Sequence, residues 1–299
     1  MTVSPVRHLR SLALAIITCQ AALLSASTPP APADVDREDF KTQLDTPSPV
    51  SRPATSDNRT AYRILCIGDS ITRHGASERT RTNLGWNHVA GMAASAEEND
   101  YAHRLARLVQ TALPDRRVEL HFHIGGGSGK ASQRLAAIDT VLPLKPHLVV
   151  VQLGEHEKES DGIESLKTNY EQLLTAFDRQ TPHRPLVIAT GTWSLGKQEP
   201  LPAKSATADA WRYTGWPATV DRVMADICLK HGIPFVPVND LARNPANRGW
   251  GTSPGVKWHP NDNGHAGYAQ KIFTAWQAAT ADIVPAKQGH TKTAATDRP

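Results

Sequence analysis

The chain has 299 residues, of which 39% are hydrophobic and 21% are charged, with a formal net charge of +4 and three cysteines. This apolar fraction is sufficient for a globular core, and three cysteines are too few for a small scaffold held together by disulfides. The small net charge argues against a nucleic-acid-binding protein and against a polybasic protein of the membrane surface.

The first 27 residues have the pattern of a secretory signal peptide. Arg7 and Arg10 precede an apolar run that ends in small residues at 25–27. The run is too short and too interrupted for a retained membrane anchor, which needs about 20 apolar residues. Cys19 leaves lipidation as a lesser alternative. We therefore expect removal of residues 1–27, a secreted or periplasmic location, and no stable membrane insertion afterwards.

Two polar segments flank the part of the chain that is expected to fold. Residues 28–60 are rich in Pro, Ser, Thr and Asp, and residues 285–299 are polar and aperiodic. Such segments cannot bury enough apolar surface to become ordered, so we expect a disordered linker and a disordered tail. The remaining residues, 61–284, have the length of one α/β domain.

Strand-like and helix-like patterns alternate along this domain. Strand-length apolar runs cover 62–67, 118–124, 147–153, 185–190 and 233–238. Helical periodicity covers 101–113, with Asn99 or Asp100 as its cap, and 131–141, 163–177, 217–231 and 263–279. The alternation predicts a five-stranded parallel sheet with helices on both faces, a three-layer α/β/α fold. In such sheets the chemistry lies in the loops beyond the carboxyl ends of the strands.

Two of these loops carry residues suited to nucleophilic catalysis. Ser70 directly follows the first strand, and His259 lies after the fifth strand, before the last helix. Across the top of the sheet, His259 could act as general base for Ser70. Each pattern also has a structural interpretation, since Asp69-Ser70 suits a turn and His259 suits a helix entry capped by Asp262 or Asn263.

Together these loops resemble the SGNH (GDSL) hydrolase superfamily, over roughly residues 62–279. The matching blocks are Gly68-Asp69-Ser70, a glycine run at 125–127 after the second strand, Gly154-Glu155-His156-Glu157 after the third, and His259-Pro260. Residues 85–101 further resemble a subfamily of secreted bacterial GDSL proteins. The resemblance implies a flavodoxin-like sheet and a serine esterase.

The blocks depart from the family pattern at two positions. His156 stands where the family has an asparagine that binds the oxyanion, and Val256 stands where the family has the acid of its last block. An imidazole N–H can donate the same hydrogen bond as the asparagine. His259 could be oriented by Asp240, by Asp262 or by a backbone carbonyl at 255–256, and we favour Asp240 or the carbonyl, which would make a Ser-His dyad.

The resemblance assigns the nucleophile to Ser70 and the base to His259. It places the oxyanion among the Ser70 N–H, a glycine of the 125–127 run, for which we take Gly126, and His156. Substrate contacts are expected from Asp69, Trp86, Trp193 and Trp258, because six of the seven tryptophans fall in loops on the Ser70 side and flat rings suit sugars or acyl chains.

The expected function is therefore hydrolysis of an O-acyl ester, in the first place an acetyl group on a carbohydrate, by a secreted serine esterase. Rival interpretations are a lipid or lysophospholipid esterase and a decayed carbohydrate-binding protein. The expected partner is a small-molecule or polysaccharide ester. We expect no cofactor and no catalytic metal, because paired histidines with the spacing of a zinc protease are missing from the sequence. The pairing of Cys66 with Cys228 is left open.

Overall fold

The computed structural model describes residues 59–125, 128–179, 184–200 and 211–281. The expected signal peptide and tail, and nearly all of the expected linker, lie outside these ranges. The strands are β1 (Thr60–Ile67), β2 (Arg116–His123), β3 (Leu148–Gln152), β4 (Leu186–Thr190), β5 (Lys197–Pro200), β6 (Trp211–Thr214) and β7 (Phe235–Val236). The α-helices are α1 (Glu78–Leu84), α2 (Tyr101–Ala112), α3 (Ala131–Ala136), α4 (Ile163–Thr175), α5 (Trp216–Lys230), α6 (Asn239–Arg243), α7 (Pro254–Trp258) and α8 (Asp262–Thr280).

Five of the strands form one parallel sheet in the order β2-β1-β3-β4-β7. The chain reverses its direction of winding between β1 and β3, which is where doubly wound sheets place their ligands. The remaining strands, β5 and β6, form a separate antiparallel hairpin that the sequence patterns did not predict.

The core is divided into two layers by this sheet. Leu65 and Ile67 pack with α4 and α5 on one face, whereas Ile64 and Cys66 pack with α2 and α8 on the other. Successive strand residues point to opposite faces, so both faces of β1 must be apolar when helices cover both. The three-layer α/β/α prediction is confirmed.

Local chemistry explains where the elements end. The fifth strand of the sheet, β7, has two residues instead of the predicted six, and prolines at 234 and 237, which lack an N–H donor, flank it. Asp100 caps α2, one of the two predicted residues, and accepts a hydrogen bond from the His103 N–H. Asn261 caps α8 in place of the predicted Asp262 or Asn263.

The two cysteines of the domain are buried free thiols. Cys66 belongs to the cluster on the α2 and α8 face, and Cys228 to the cluster on the α4 and α5 face, so the sheet separates them. Within the residues placed by the structure, no helix is long and apolar enough to span a membrane.

Candidate active site

Ser70 lies in a tight turn at the carboxyl end of β1. The Asp69 carboxylate accepts a hydrogen bond from the Ile71 N–H at 2.9 Å, and the Thr72 N–H donates to the Asp69 carbonyl at 3.0 Å. Gly68 is required because a Cβ at this position would lie 1.8 Å from the Thr72 hydroxyl oxygen. The turn therefore depends on glycine for its close packing.

The structure brings the Ser70 side chain into contact with His259. The distance from Ser70 Oγ to His259 Nε2 is 2.7 Å, although 189 residues separate the two along the chain. His259 is buried, and this burial lowers its pKa to about 3. The imidazole is therefore neutral at physiological pH, as a base that accepts the serine proton must be.

The other nitrogen of His259 is held by a backbone carbonyl. His259 Nδ1 lies 2.6 Å from the Gly255 carbonyl oxygen, and the His259 N–H donates to the Val256 carbonyl as α7 ends. The end of the helix leaves the Gly255 carbonyl available to the ring. Because a carbonyl can only accept, Nδ1 carries the proton and Nε2 presents a lone pair to Ser70.

The expectation that Asp240 orients His259 is corrected by these contacts. Asp240 lies in α6 with its side chain about half exposed, and its carboxylate is 3.0 Å from Lys271 Nζ. Asp262 is also engaged elsewhere, since its carboxylate accepts hydrogen bonds from the N–H and hydroxyl of Ser95. Of the alternatives for orienting His259, the geometry therefore supports the backbone carbonyl.

We expect Asp240→Asn to change kcat for p-nitrophenyl acetate less than about twofold. Its surface ion pair with Lys271 contributes at most about 1 kcal/mol to stability, whereas an orienting carboxylate is worth up to about 10⁴-fold in turnover. Asp226→Asn, an exposed acid on α5, is the matched control. A loss of 100-fold or more in Asp240→Asn alone would restore this residue to the site.

The segment from 85 to 101 contacts the backbone of Ser70. The Met92 N–H donates to the Ser70 carbonyl at 2.8 Å. The buried Asp100 carboxylate accepts from the Gly91 N–H, and the buried imidazole of His265 contacts the Met92 carbonyl at 3.3 Å. Asp100, the cap of α2, thus holds Gly91, and His265 of α8 contacts Met92. These contacts fix the Met92 backbone, which in turn holds the Ser70 carbonyl.

Residues 66–266 match the GDSL-like lipase/acylhydrolase family. The chain belongs to this family. It is therefore a carboxylic ester hydrolase of the SGNH type. No curated protein matches it.

Several solved structures are similar to the GDSL-family chain at low identity. A catalytic mutant of an acetylxylan esterase from Geobacillus stearothermophilus is 15% identical with a TM-score of 0.47, covering 72% of this chain and 94% of its own. A psychrotrophic esterase from Pseudoalteromonas is 13% identical with a TM-score of 0.46, covering 73% and 98%. An α/β hydrolase from the metagenome of Lake Arreo, Spain, is 22% identical with a TM-score of 0.46, covering 75% and 96%.

In the third family block, His156 faces a buried carboxylate. His156 Nε2 lies 3.7 Å from Asp69 Oδ2, and this oxygen has no hydrogen-bond partner in the part of the chain that is placed. Burial raises the pKa of Asp69, and the nearby His156 opposes that shift. Asp69 was expected to contact substrate. Its side chain is only 1% exposed, so it is not an open substrate contact and lies beside His156 in the interior. The predicted oxyanion glycine, Gly126, lies outside the described residues.

Two buried polar side chains hold the turn at residues 68–72, and the sequence analysis missed both of them. The Gln152 amide oxygen accepts from the Asp69 N–H at 3.3 Å and from the Thr72 hydroxyl at 2.8 Å. The Arg134 guanidinium donates to the Gly68 carbonyl at 2.8 Å and to the Gly125 carbonyl at 2.6 Å. Gln152 could have been found from the sequence, because it is an amide at the end of an apolar strand and a buried amide requires hydrogen-bond partners.

Glu155 is a further buried acid of the third block. Its carboxylate accepts hydrogen bonds from the Gln152 amide at 3.1 Å and from the Trp193 N–H at 2.7 Å. Burial and the neighbouring Asp69 raise its pKa well above the usual range. Glu155 thus connects the support of Ser70 to the loop after β4. Across the described ranges, no three His, Cys, Asp or Glu side chains are grouped as metal ligands.

Of the three tryptophans expected to contact substrate, one has an accessible ring. Trp86 and Trp193 are fully buried, which corrects their assignment as open contacts. Trp86 packs in a small cluster with Met92 and Val256, and the Trp193 indole N–H donates to the Trp258 carbonyl at 2.7 Å. Trp258 is 38% exposed, and its ring centroid lies 4.9 Å from that of His259.

Proposed function

We propose that this SGNH hydrolase is a secreted or periplasmic serine esterase that removes O-acyl groups, in the first place acetyl groups, from a carbohydrate. The observation that supports the mechanism is the 2.7 Å contact between Ser70 Oγ and His259 Nε2, with the Gly255 carbonyl on the opposite nitrogen of the ring. Secretion rests on the leader-like pattern of residues 1–27.

In the proposed reaction, Ser70 Oγ attacks the ester carbonyl carbon while His259 Nε2 takes the hydroxyl proton. The tetrahedral intermediate collapses, the C–O bond to the sugar breaks, and His259 returns the proton to the leaving alcohol. Water then attacks the acyl-enzyme while His259 accepts a proton from it. The bond between Ser70 Oγ and the acyl carbon breaks, His259 returns the proton to Ser70 Oγ, and the carboxylic acid leaves. The Gly255 carbonyl stabilises the imidazolium that forms twice in the cycle.

The oxyanion of both intermediates is assigned to the Ser70 N–H, the Gly126 N–H and the His156 ring. Among the residues placed by the structure, none accepts a hydrogen bond from the Ser70 N–H, so it is available to the substrate. His156 is partly exposed, and its Nε2 lies 3.7 Å from Asp69 Oδ2, beyond hydrogen-bond distance, so we assign a ring N–H of His156 to the oxyanion rather than to Asp69. Fixed donors aimed at developing charge are the largest single contribution in this class of reaction.

The carbohydrate assignment rests on Trp258. A partly exposed indole beside the proposed catalytic base suits the apolar face of a sugar ring. A lipid esterase would need apolar surface for a chain of a dozen or more carbons.

We therefore expect kcat/KM to fall at least about tenfold from p-nitrophenyl acetate to p-nitrophenyl palmitate, because ordering a long acyl chain costs conformational entropy that no apolar contact would offset. The carbohydrate assignment is tested by assaying acetate release from acetylated saccharides, with the deacetylated saccharides as controls. A preference for the palmitoyl ester would support the lipid esterase instead. Glycan binding that survives Ser70→Ala, with no hydrolysis by the wild type, would support a decayed binding protein.

A further inference from the structure

A small cavity lies next to the catalytic histidine. It has a volume of about 230 Å³ and is lined by Trp193, Leu195, Ala242, Arg248, Pro254, Lys257 and Trp258. Trp258 connects it to the site, because its ring stands edge-on to the His259 ring at 4.9 Å. Drug-sized ligands occupy about 300 to 1,000 Å³, so this cavity has room for a smaller group, such as one sugar ring.

The charged side chains that line this cavity are all positive. Its lining includes two cationic side chains, Arg248 and Lys257, and no carboxylate. Arg248 donates to the backbone carbonyls of Ala242 at 2.9 Å and Arg243 at 3.2 Å, which fixes the guanidinium in place without neutralising it. Lys257 forms no ion pair with any acid in the described ranges. The cavity is therefore positive.

The nearest acids along the chain do not offset this charge. Asp240, two residues from the lining residue Ala242, is paired with Lys271. Glu155 contacts the backbone of Trp193 from the interior and is held by the Gln152 amide. Two cations without a counter-ion among the described residues, one of them held by backbone carbonyls, would attract an anionic ligand, and the low-dielectric walls of a cleft strengthen this attraction.

We propose that this cavity is a subsite for a negatively charged sugar residue, a uronate, adjacent to the sugar that carries the acyl group. The proposal rests on the proposed function and adds to it the substrate class, an acylated acidic polysaccharide. The carboxylate would bind Lys257 and Arg248, and the sugar ring would lie against Trp258, which is 38% exposed. A charge-assisted contact of this kind gives preference for one polysaccharide over another rather than catalysis itself.

A phospholipid headgroup offers the same negative charge, but the lining favours the sugar. The cavity volume of about 230 Å³ lies below the range that drug-sized ligands occupy, which is small for a long acyl chain. The open aromatic face of Trp258 suits a ring that has one apolar face. The uronate is therefore the occupant that accounts for both the charge and the aromatic ring.

The test compares two acetylated substrates, an oligogalacturonide, which is anionic, and a xylo-oligosaccharide, which is neutral. We expect a higher kcat/KM for the anionic substrate, and we expect Lys257→Gln to reduce the ratio of the two values about five- to tenfold through KM. Lys257→Arg should keep most of the preference. Lys167→Gln, which removes the same charge from an exposed pair on α4, should leave the ratio unchanged.

Binding is measured separately from hydrolysis. Calorimetry with an unacetylated oligogalacturonide should show binding to the wild type that weakens in Lys257→Gln and at high salt, where the charges are screened. Equal kcat/KM for the two substrates, or a preference that Lys257→Gln leaves intact, would overturn the subsite. Faster hydrolysis of lysophosphatidylglycerol than of the oligogalacturonide would also overturn it. Uronate binding without any hydrolysis of p-nitrophenyl acetate would refute the proposed esterase function but would support the subsite.

Discussion

Ser70→Ala and His259→Ala should each lower kcat for p-nitrophenyl acetate by at least about 10⁴-fold. Ser70 supplies the oxygen that becomes acylated, and His259 is the base within 2.7 Å of it, held by the Gly255 carbonyl. A nucleophile and its base act as one unit, so the double variant should lose about as much as either single variant. The measurement is steady-state release of p-nitrophenol.

The controls separate loss of chemistry from loss of folding. Thermal unfolding and circular dichroism should match the wild type for Ser70→Ala, because the side chain is small and partly exposed. Ser160→Ala, which changes an exposed serine, serves as the matched substitution and should keep full activity. If either active-site variant kept more than a tenth of the wild-type kcat, the Ser-His mechanism would be refuted.

His156→Ala should lower kcat about 100- to 1000-fold with little change in KM. This is the cost of one oxyanion donor, since the hydrogen bond strengthens only as negative charge develops on the carbonyl oxygen. His156 Nε2 lies 3.7 Å from Asp69 Oδ2, an oxygen without a hydrogen-bond partner among the described residues. The readout is kcat and KM measured separately on the same acetyl ester.

The rescue variant for this donor is His156→Asn, which supplies the amide that the family has at this position. We expect it to recover at least about a tenth of the wild-type kcat, because the amide N–H donates a hydrogen bond of the same kind. His121→Ala, a partly exposed histidine of the edge strand β2, controls for the loss of an imidazole. A loss below about fivefold in His156→Ala would remove His156 from the oxyanion hole.

The fold could be predicted from the sequence because burial on both faces leaves a strong pattern. The run from Leu148 to Gln152 is apolar at nearly every position, as expected when helices cover both faces of a strand. The hairpin of β5 and β6 has strands of four residues each, too short to show an alternation. The strand β7 is short because prolines flank it. The sequence did not predict this shortening, since the effect of a proline on pairing depends on how the adjacent strand lies.

The site was predictable where side chains carry the chemistry. Ser70 and His259 have distinctive residue types after the ends of strands, and the parallel sheet brings these ends to one edge. The partner of His259 Nδ1 could not be singled out, because every residue has a carbonyl and only the end of α7 leaves the one at Gly255 available. The burial of Trp86 and Trp193 was also missed, since a loop position in sequence does not show which rings fold inward.

The most direct test of the Ser-His mechanism is covalent labelling with a fluorophosphonate, followed by peptide mass spectrometry. Ser70 Oγ would attack phosphorus, the P–F bond would break, and His259 would take the serine proton as fluoride leaves. We expect a single adduct on the peptide that contains Ser70, with labelling greatly slowed in His259→Ala and lost in Ser70→Ala. An adduct on another serine, or equal labelling of the His259→Ala variant, would contradict it.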